Sequence, residues 1–149
     1  MINIREIRTS DVDAMLALRF QWLSTQFNAV KTTELERDWF ARYPGNSMAP
    51  ALVAEEDSRL VGYVLCALMR HPAMPGLSAL IDEVCVAESH RRQGIGRRLV
   101  AELRARLLSR VNDLSAIRTQ VDREDETSMA FWTALGFEHH CLDYTDYLR

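Results

Sequence analysis

A chain of 149 residues, 48% hydrophobic and 26% charged, has the usage of one folded domain with room for one core and one site, which excludes a disordered or fibrous protein. A formal net charge of -3 gives no basic footprint for nucleic acid, and no apolar run approaches the ~20 residues that a membrane-spanning helix needs. Cys66, Cys85 and Cys141 are odd in number and far apart, so neither a disulfide framework nor a zinc site is indicated. With no basic and then apolar leader at the start, the expectation is a cytoplasmic protein with reduced thiols.

Ile2, Ile4 and Ile7 sketch a first strand, closed by Thr9-Ser10, where Ser10 with Asp13 is expected to cap a helix. Val12, Met15, Leu16, Trp22 and Leu23 share one face of that helix, over about 11–25. A shorter helix is expected over 34–42. Pro44-Gly45-Asn46-Ser47 breaks the chain, and Ala51–Glu55 and Leu60–Met69 read as a hairpin turning at Asp57-Ser58. The second of these runs is nearly all apolar, the mark of a central strand covered on both faces. After the loop His71–Gly76 comes another apolar strand, 77–86, interrupted by Asp82-Glu83.

A helix is expected from Gly94 to about Arg110, because Ile95, Leu99, Leu103 and Leu107 recur every four residues. Residues 116–121 read as a strand. Asp125 can cap a last helix whose Ser128, Phe131, Trp132 and Leu135 face inward and which Gly136 stops. A final strand is expected over 137–144. With no repeat or linker, residues 1–149 are expected to form a single α/β domain with a mixed sheet.

The segment Val84-Cys85-Val86-Ala87-Glu88-Ser89-His90-Arg91-Arg92-Gln93-Gly94-Ile95-Gly96-Arg97 is a strand, a basic glycine loop and a helix start. Glycines let amides approach a ligand closely, and a helix N-terminus already favours negative charge, so a pyrophosphate suits it. Leu99 removes the G-x-G-x-x-G pattern of dinucleotide folds, and no G-x-x-x-x-G-K-[ST] loop is present. Taken alone, Gly94 and Gly96 also fit a plain tight turn, and the arginines a solvated face.

Arg91-x-x-Gly94-x-Gly96 resembles the R/Q-x-x-G-x-G/A pyrophosphate loop of the GNAT superfamily of acyl-CoA-dependent N-acyltransferases. Downstream, Asp125 to Phe137 is similar to that family's N-x-x-A-x-x-F-Y-x-x-x-G-F segment. The Ile4-Arg5-x-x-x-x-x-Asp11 opening and Leu60-Val61-Gly62-Tyr63 are also family-like. The resemblance implies a mixed sheet of six to seven strands, antiparallel at first and ending in a splayed parallel pair, with about four helices. It implies acetyl-CoA as co-substrate and a primary amine, on a small molecule or a peptide, as acceptor. Amides from Arg92 through Gln93, Gly94, Ile95 and Gly96 to Arg97 would hold the pyrophosphate, with the Arg91 and Arg92 side chains nearby. Val84 and Val86 would pair with the pantetheine arm, and an N–H near Cys85 or Val86 would face the thioester carbonyl. Asp125, Ser128, Phe131 and Trp132 would line the cofactor from the last helix. A homodimer completing the acceptor pocket also fits.

An alkylammonium with pKa about 10.4 must lose a proton before it attacks a thioester. Glu83 is the first candidate to accept it and Asp82 its rival, since neighbours on a regular strand face opposite ways and the sequence does not fix which faces the slot. Trp132 stands where the family often has a tyrosine that reprotonates the leaving thiolate, and indole is no such acid. Tyr144, Tyr147 and His139 are the substitutes at hand, along with water. His139-His140 lacks a third ligand at useful spacing, so no metal is expected. The segments 26–48 and 70–77 are expected to select the acceptor. A non-catalytic acyl-CoA sensor is the alternative, motivated by Trp132.

Overall fold

The computed structural model describes residues 1–27, 34–71, 73–140 and 145. Five strands form one mixed sheet: β1 Asn3–Glu6, β2 Ala51–Glu56, β3 Arg59–Arg70, β4 Leu77–Val86 and β5 Leu114–Thr119. They lie side by side in chain order, antiparallel as far as β4, with β5 parallel to β4. The helices are α1 Val12–Phe27, α2 Glu34–Phe40, α3 Ile95–Arg110 and α4 Glu126–Ala134. Beneath the β2–β3 hairpin, Asp57 and Ser58 both have positive φ, 47° and 63°, the sense of a two-residue turn that matches strand twist.

The expected six to seven strands become five among the described residues. Residues 137–140, where the last strand was to begin, join no ladder, and 141–144 lie outside the described residues. The cause at 137 is the end of α4. Gly136 at φ 85° donates its N–H to Thr133 C=O at 3.0 Å, and Phe137 N–H returns to Trp132 C=O at 3.0 Å. These two bonds fold the chain back onto the helix instead of outward along the sheet.

Both faces of the sheet are covered. On one, Ala54, Val64, Cys66, Ala79 and Ile81 pack against Ile95, Leu99, Leu103 and Leu107 of α3, the four residues whose spacing predicts that helix. On the other, Val53, Tyr63, Leu65 and Cys85 meet Met15, Leu16 and Leu18 of α1 and Phe40 of α2. β3 is central and buried from Val61 to Cys66, as its apolar run predicts. Gly62 has no side chain because there is no space for one: a Cβ there would lie 3.0 Å from Cys85 O and 3.3 Å from a Leu99 methyl.

β1 is fixed to the start of α1 by charge. Arg5 forks onto the buried Asp11 carboxylate at 2.7 and 2.9 Å and sends Nε to Glu55 on β2 at 2.7 Å. Asp11 also accepts the Arg8 amide at 2.7 Å, so it starts a short 3-10 turn, Thr9–Asp11, ahead of α1. This is the work expected of Ser10 and Asp13, and Asp13 instead pairs with Arg37 of α2. The Arg5-x5-Asp11 spacing is thus the two ends of one bidentate bridge.

Hydrogen bonding by Arg5 holds the Asp11 carboxyl below its ordinary range, against the opposing effect of burial. Asp11→Asn is expected to lower the unfolding free energy at pH 7 by about 2 kcal/mol in urea denaturation. A depressed folded pKa stabilises the fold above the ordinary value near ~3.9. The wild-type advantage over the variant should therefore fade as pH falls through that depressed value.

Candidate active site

The centre of the site is an irregularity in β4. Leu65 pairs with Glu83 and the next β3 residue, Cys66, with Ile81, so Asp82 is an extra residue in the ladder. A bulge of this kind reverses strand parity. Ile81 packs into the α3-side core, but Cys85 packs into the α1-side core and Val84 and Val86 return to the α3 side. Asp82 and Glu83 therefore reach the same side of the sheet, which corrects the expectation that one faces away from the other. Asp82 Oδ2 accepts from Tyr43 Oη at 3.2 Å. Glu83 Oε1 accepts from Tyr63 Oη, and its Oε2 accepts from Arg19 Nε of α1 at 3.1 Å. Arg19 also donates to Glu36 of α2 at 2.5 Å and lies over the Phe40 ring, 5.5 Å from its centroid.

These surroundings alter acidity. Burial, then the neighbouring Glu83 charge, push the Asp82 carboxyl above its ordinary range, although the Tyr43 hydrogen bond opposes them. Burial raises the Tyr63 and Tyr43 phenols, so both remain neutral donors. The Cys85 thiol, on the same face, is pushed by burial up to about 11 and is no nucleophile at neutral pH.

Beside the carboxylates the sheet opens. The β4–β5 ladder ends at Ile81 with Thr119, yet β4 runs on to Val86. Its direction there follows from the antiparallel register. Ala87 donates to Val61 at 2.9 Å, and alternation turns Cys85 and Glu83 toward β3 as well. Val84 and Val86 therefore direct their amides and carbonyls into the open edge. Of the expected donors, Val86 faces the slot and the Cys85 N–H is turned to β3. Arg91 Nε takes the Val86 carbonyl at 3.1 Å. A pocket of ≈ 210 Å³ lies on the α1 side of this end, between Leu18, Gln21 and Trp22 and Val86, Glu88 and Arg91.

The glycine loop completes the opening. Arg92 and Gly94 have φ of 64° and 79°, and the first helical bond of α3 runs from Arg98 N–H to Gly94 C=O at 3.0 Å. The Ile95, Gly96 and Arg97 amides precede that bond and stay outside the helical ladder, at the positive end of the α3 dipole. A Cβ on Gly94 would meet nothing within 4 Å, so the ground in front of these amides is open. At Gly96 a Cβ would come within 3.3 Å of Phe131, which brings α4 against the loop. Further along α3, Arg98 reaches Ile2 C=O, and Arg106 and Arg110 pair with Glu6. These arginines fasten α3 to β1.

At α4 the Asp125 carboxylate accepts the Ser128 amide at 2.9 Å and its hydroxyl at 2.6 Å, the expected cap. Trp132 is buried edge-on to Phe131, with centroids 5.0 Å apart, and to Phe137, 4.9 Å apart. Tyr144, the expected acid, and Tyr147 lie outside the described residues, and His139 and His140 are exposed beyond α4. Among the described residues no three of His, Cys, Asp and Glu gather as metal ligands would. No helix among them is long and apolar enough to cross a membrane.

The family model of the GNAT acetyltransferases matches residues 16–137. The chain belongs to this family. Its domain superposes on that of a possible acetyltransferase from Clostridium difficile 630, with TM-score 0.84 and 16% identity, over 100% of this chain and 98% of the other. An aminoglycoside N-acetyltransferase solved with CoA gives TM-score 0.82 at 14% identity, over 100% and 95% of the two chains. An aminoglycoside acetyltransferase from an uncultured soil metagenomic sample, in complex with sisomicin, gives 0.77 at 16%, over 99% and 97%. At such identities the likeness is one of fold. No curated protein matches by sequence.

In this GNAT domain the side chains that sequence reasoning passed over are Arg19, Tyr43 and Tyr63. Two of them carried a signal. Tyr63 sits in an otherwise apolar central strand, and a buried phenol needs a partner. Arg19 follows Leu16 and Leu18 on the helix face that meets the sheet.

Trp132, at the family's tyrosine position, is the ring on which α4 closes. Trp132→Ala is expected to cost about 3–5 kcal/mol in chemical denaturation. Trp132→Phe, which keeps a ring against Phe137, should lose less than about 2 kcal/mol.

Proposed function

We propose that this GNAT domain is an acetyl-CoA-dependent N-acetyltransferase that acetylates a primary amine of a small molecule by direct attack, with both substrates bound together. The observation that carries this reading is the end of β4, Val84 to Val86, which pairs with β3 but not with β5 among the described residues and leads through the glycine loop to the amides at the start of α3. A strand edge suits the amide-bearing pantetheine arm, and a row of N–H groups at a helix start suits its diphosphate. Arg91 and Arg92 add charge at the same end. Asp125, Ser128, Phe131 and Trp132 contribute through α4, where Phe131 sets the loop's position by packing on Gly96.

Bound there, an acetyl thioester supplies an activated acyl carbon. The Val86 N–H, directed into the slot, would donate to the thioester oxygen as charge grows on it, an effect of about 10²–10³ in rate. The acidic pair Asp82 and Glu83, at the inner end of the same slot, provides the proton acceptor. The aminoglycoside enzymes among the similar structures suggest a small amine as acceptor.

Calorimetry with acetyl-CoA should register binding, and ligand at 100 times its dissociation constant should add about 2.7 kcal/mol to the unfolding free energy. Thiol release from acetyl-CoA should rise with at least one amine in a panel that includes sisomicin and simple polyamines. Gly94→Val fills the open ground before the amides and strains a positive φ, at about 1–2 kcal/mol of stability. It should weaken acetyl-CoA binding at least about tenfold, or about 1.4 kcal/mol. Absence of any binding heat from either CoA or acetyl-CoA would overturn the reading.

A further inference from the structure

We propose that Asp82 Oδ1, and not Glu83, takes the proton from the acceptor amine, and that Glu83 is a positioning residue locked between Tyr63 and Arg19. The inference rests on the transferase reading above and assigns roles within the acidic pair. Both Glu83 oxygens are in use, one by the Tyr63 hydroxyl and the other by the Arg19 guanidinium, and its side chain is only 16% exposed. A proton arriving there would have to displace a cation that Glu36 and the Phe40 ring also hold in place. Asp82 differs on each count. Tyr43 occupies Oδ2 alone, Oδ1 accepts no hydrogen bond among the described residues, and the residue is more exposed than Glu83. As the extra residue of the bulge it directly follows Ile81, where the β4–β5 ladder stops and the slot begins.

Among the groups around Asp82, the Glu83 charge pushes its carboxyl up and the Tyr43 hydroxyl opposes it. Glu83 is its neighbour on β4, with Tyr63 of β3 and Arg19 of α1 behind, and Tyr43 follows α2. The Cys66 thiol of β3 feels the Asp82 charge and, chiefly through burial, is pushed up to about 12, so it stays protonated. Burial and then the neighbouring Glu83 carboxylate push the Asp82 carboxyl up, which makes it a better proton acceptor than an ordinary aspartate.

In the step itself, one N–H bond of the acceptor ammonium breaks and its proton passes to Asp82 Oδ1. The electron pair left on nitrogen forms the C–N bond to the acyl carbon while the C–S pair leaves on sulfur. The nitrogen's second proton ends on that sulfur, directly or through water, and Asp82 returns its own proton to solvent. The sum is ammonium and thioester giving amide, thiol and one proton.

The test uses the full chain, acetyl-CoA and the most active amine of the panel. Asp82→Asn should lower kcat by about 10²–10⁴ with the acetyl-CoA dissociation constant within about threefold of wild type, and Asp82→Glu should recover part of the loss. Glu83→Gln should lose less than about tenfold and move the acidic limb of the kcat/KM profile to lower pH. The sign follows because removing the Glu83 charge makes Asp82 easier to ionise, and its active, ionised form then persists further into acid. Carbon-detected NMR titration of the carboxyl groups provides a readout without turnover: Asp82 should titrate above the ordinary aspartate range and drop in the Glu83→Gln protein. A Glu83→Gln loss as large as that expected of Asp82→Asn, with Asp82→Asn near wild type, overturns the assignment, and so does an Asp82 titration at or below the ordinary value. Failure of the wild-type chain to bind acetyl-CoA sinks the transferase reading instead, a result that the calorimetry keeps distinct.

Discussion

The extra residue in the β3–β4 ladder decides the direction of everything that follows it in β4. Leu65 pairs with Glu83 and Cys66 with Ile81, so the alternation that carries Ile81 to the α3 face does not carry Glu83 there. Had the strand stayed regular, Glu83 would point into the aliphatic layer over α3, where a carboxylate meets no donor and its burial is costly. Val84 and Val86 would then turn their amides to β3 and leave the open edge to Glu83 and Cys85. With Asp82 inserted, two carboxylates reach one side and two amides reach the slot.

The bulge works only because other elements accept its consequences. Glu83 needs a cation, and Arg19 of α1 supplies it while tying in Glu36 of α2. Two tyrosines from different elements, Tyr63 on β3 and Tyr43 after α2, bring hydroxyls to the two carboxylates. The network thus joins both helices of one layer to the strand beneath. Each carboxylate receives at least one donor, which lets acidic residues stand in a sheet whose neighbouring residues are fully buried. At the other end of the slot the same economy holds, since the amides before α3 are the ones no helix can satisfy internally.

Trp132 illustrates how a family position can change its task. A tyrosine there would carry an acidic hydroxyl, whereas the indole lies buried between Phe131 and Phe137 and shares in the turn that ends α4. That turn in turn places Phe131 against Gly96, so the core under α4 and the loop before α3 are one packing unit. In the proposed reaction the proton transfers rest with β4 and its partners rather than with α4.

The sequence by itself determined the elements and their order. Period-four leucines on α3, the apolar run of β3, the limits of β4, Asp125 as cap and Gly136 as stop were all legible because each depends on neighbours within about four residues. So was the family, through Arg91-x-x-Gly94-x-Gly96 and the segment from Asp125 to Phe137. Only the tertiary structure decided what depends on partners distant in the chain. Sequence reasoning placed Asp82 and Glu83 on opposite faces because a regular strand alternates, and a bulge is visible only against the strand it pairs with. The start of α1 went to Asp11 instead of Ser10 because Arg5, on a different element, claims that carboxylate. The partners of the acidic pair, Arg19 from 64 residues away and Tyr43 from 39, are likewise joined to it by folding alone.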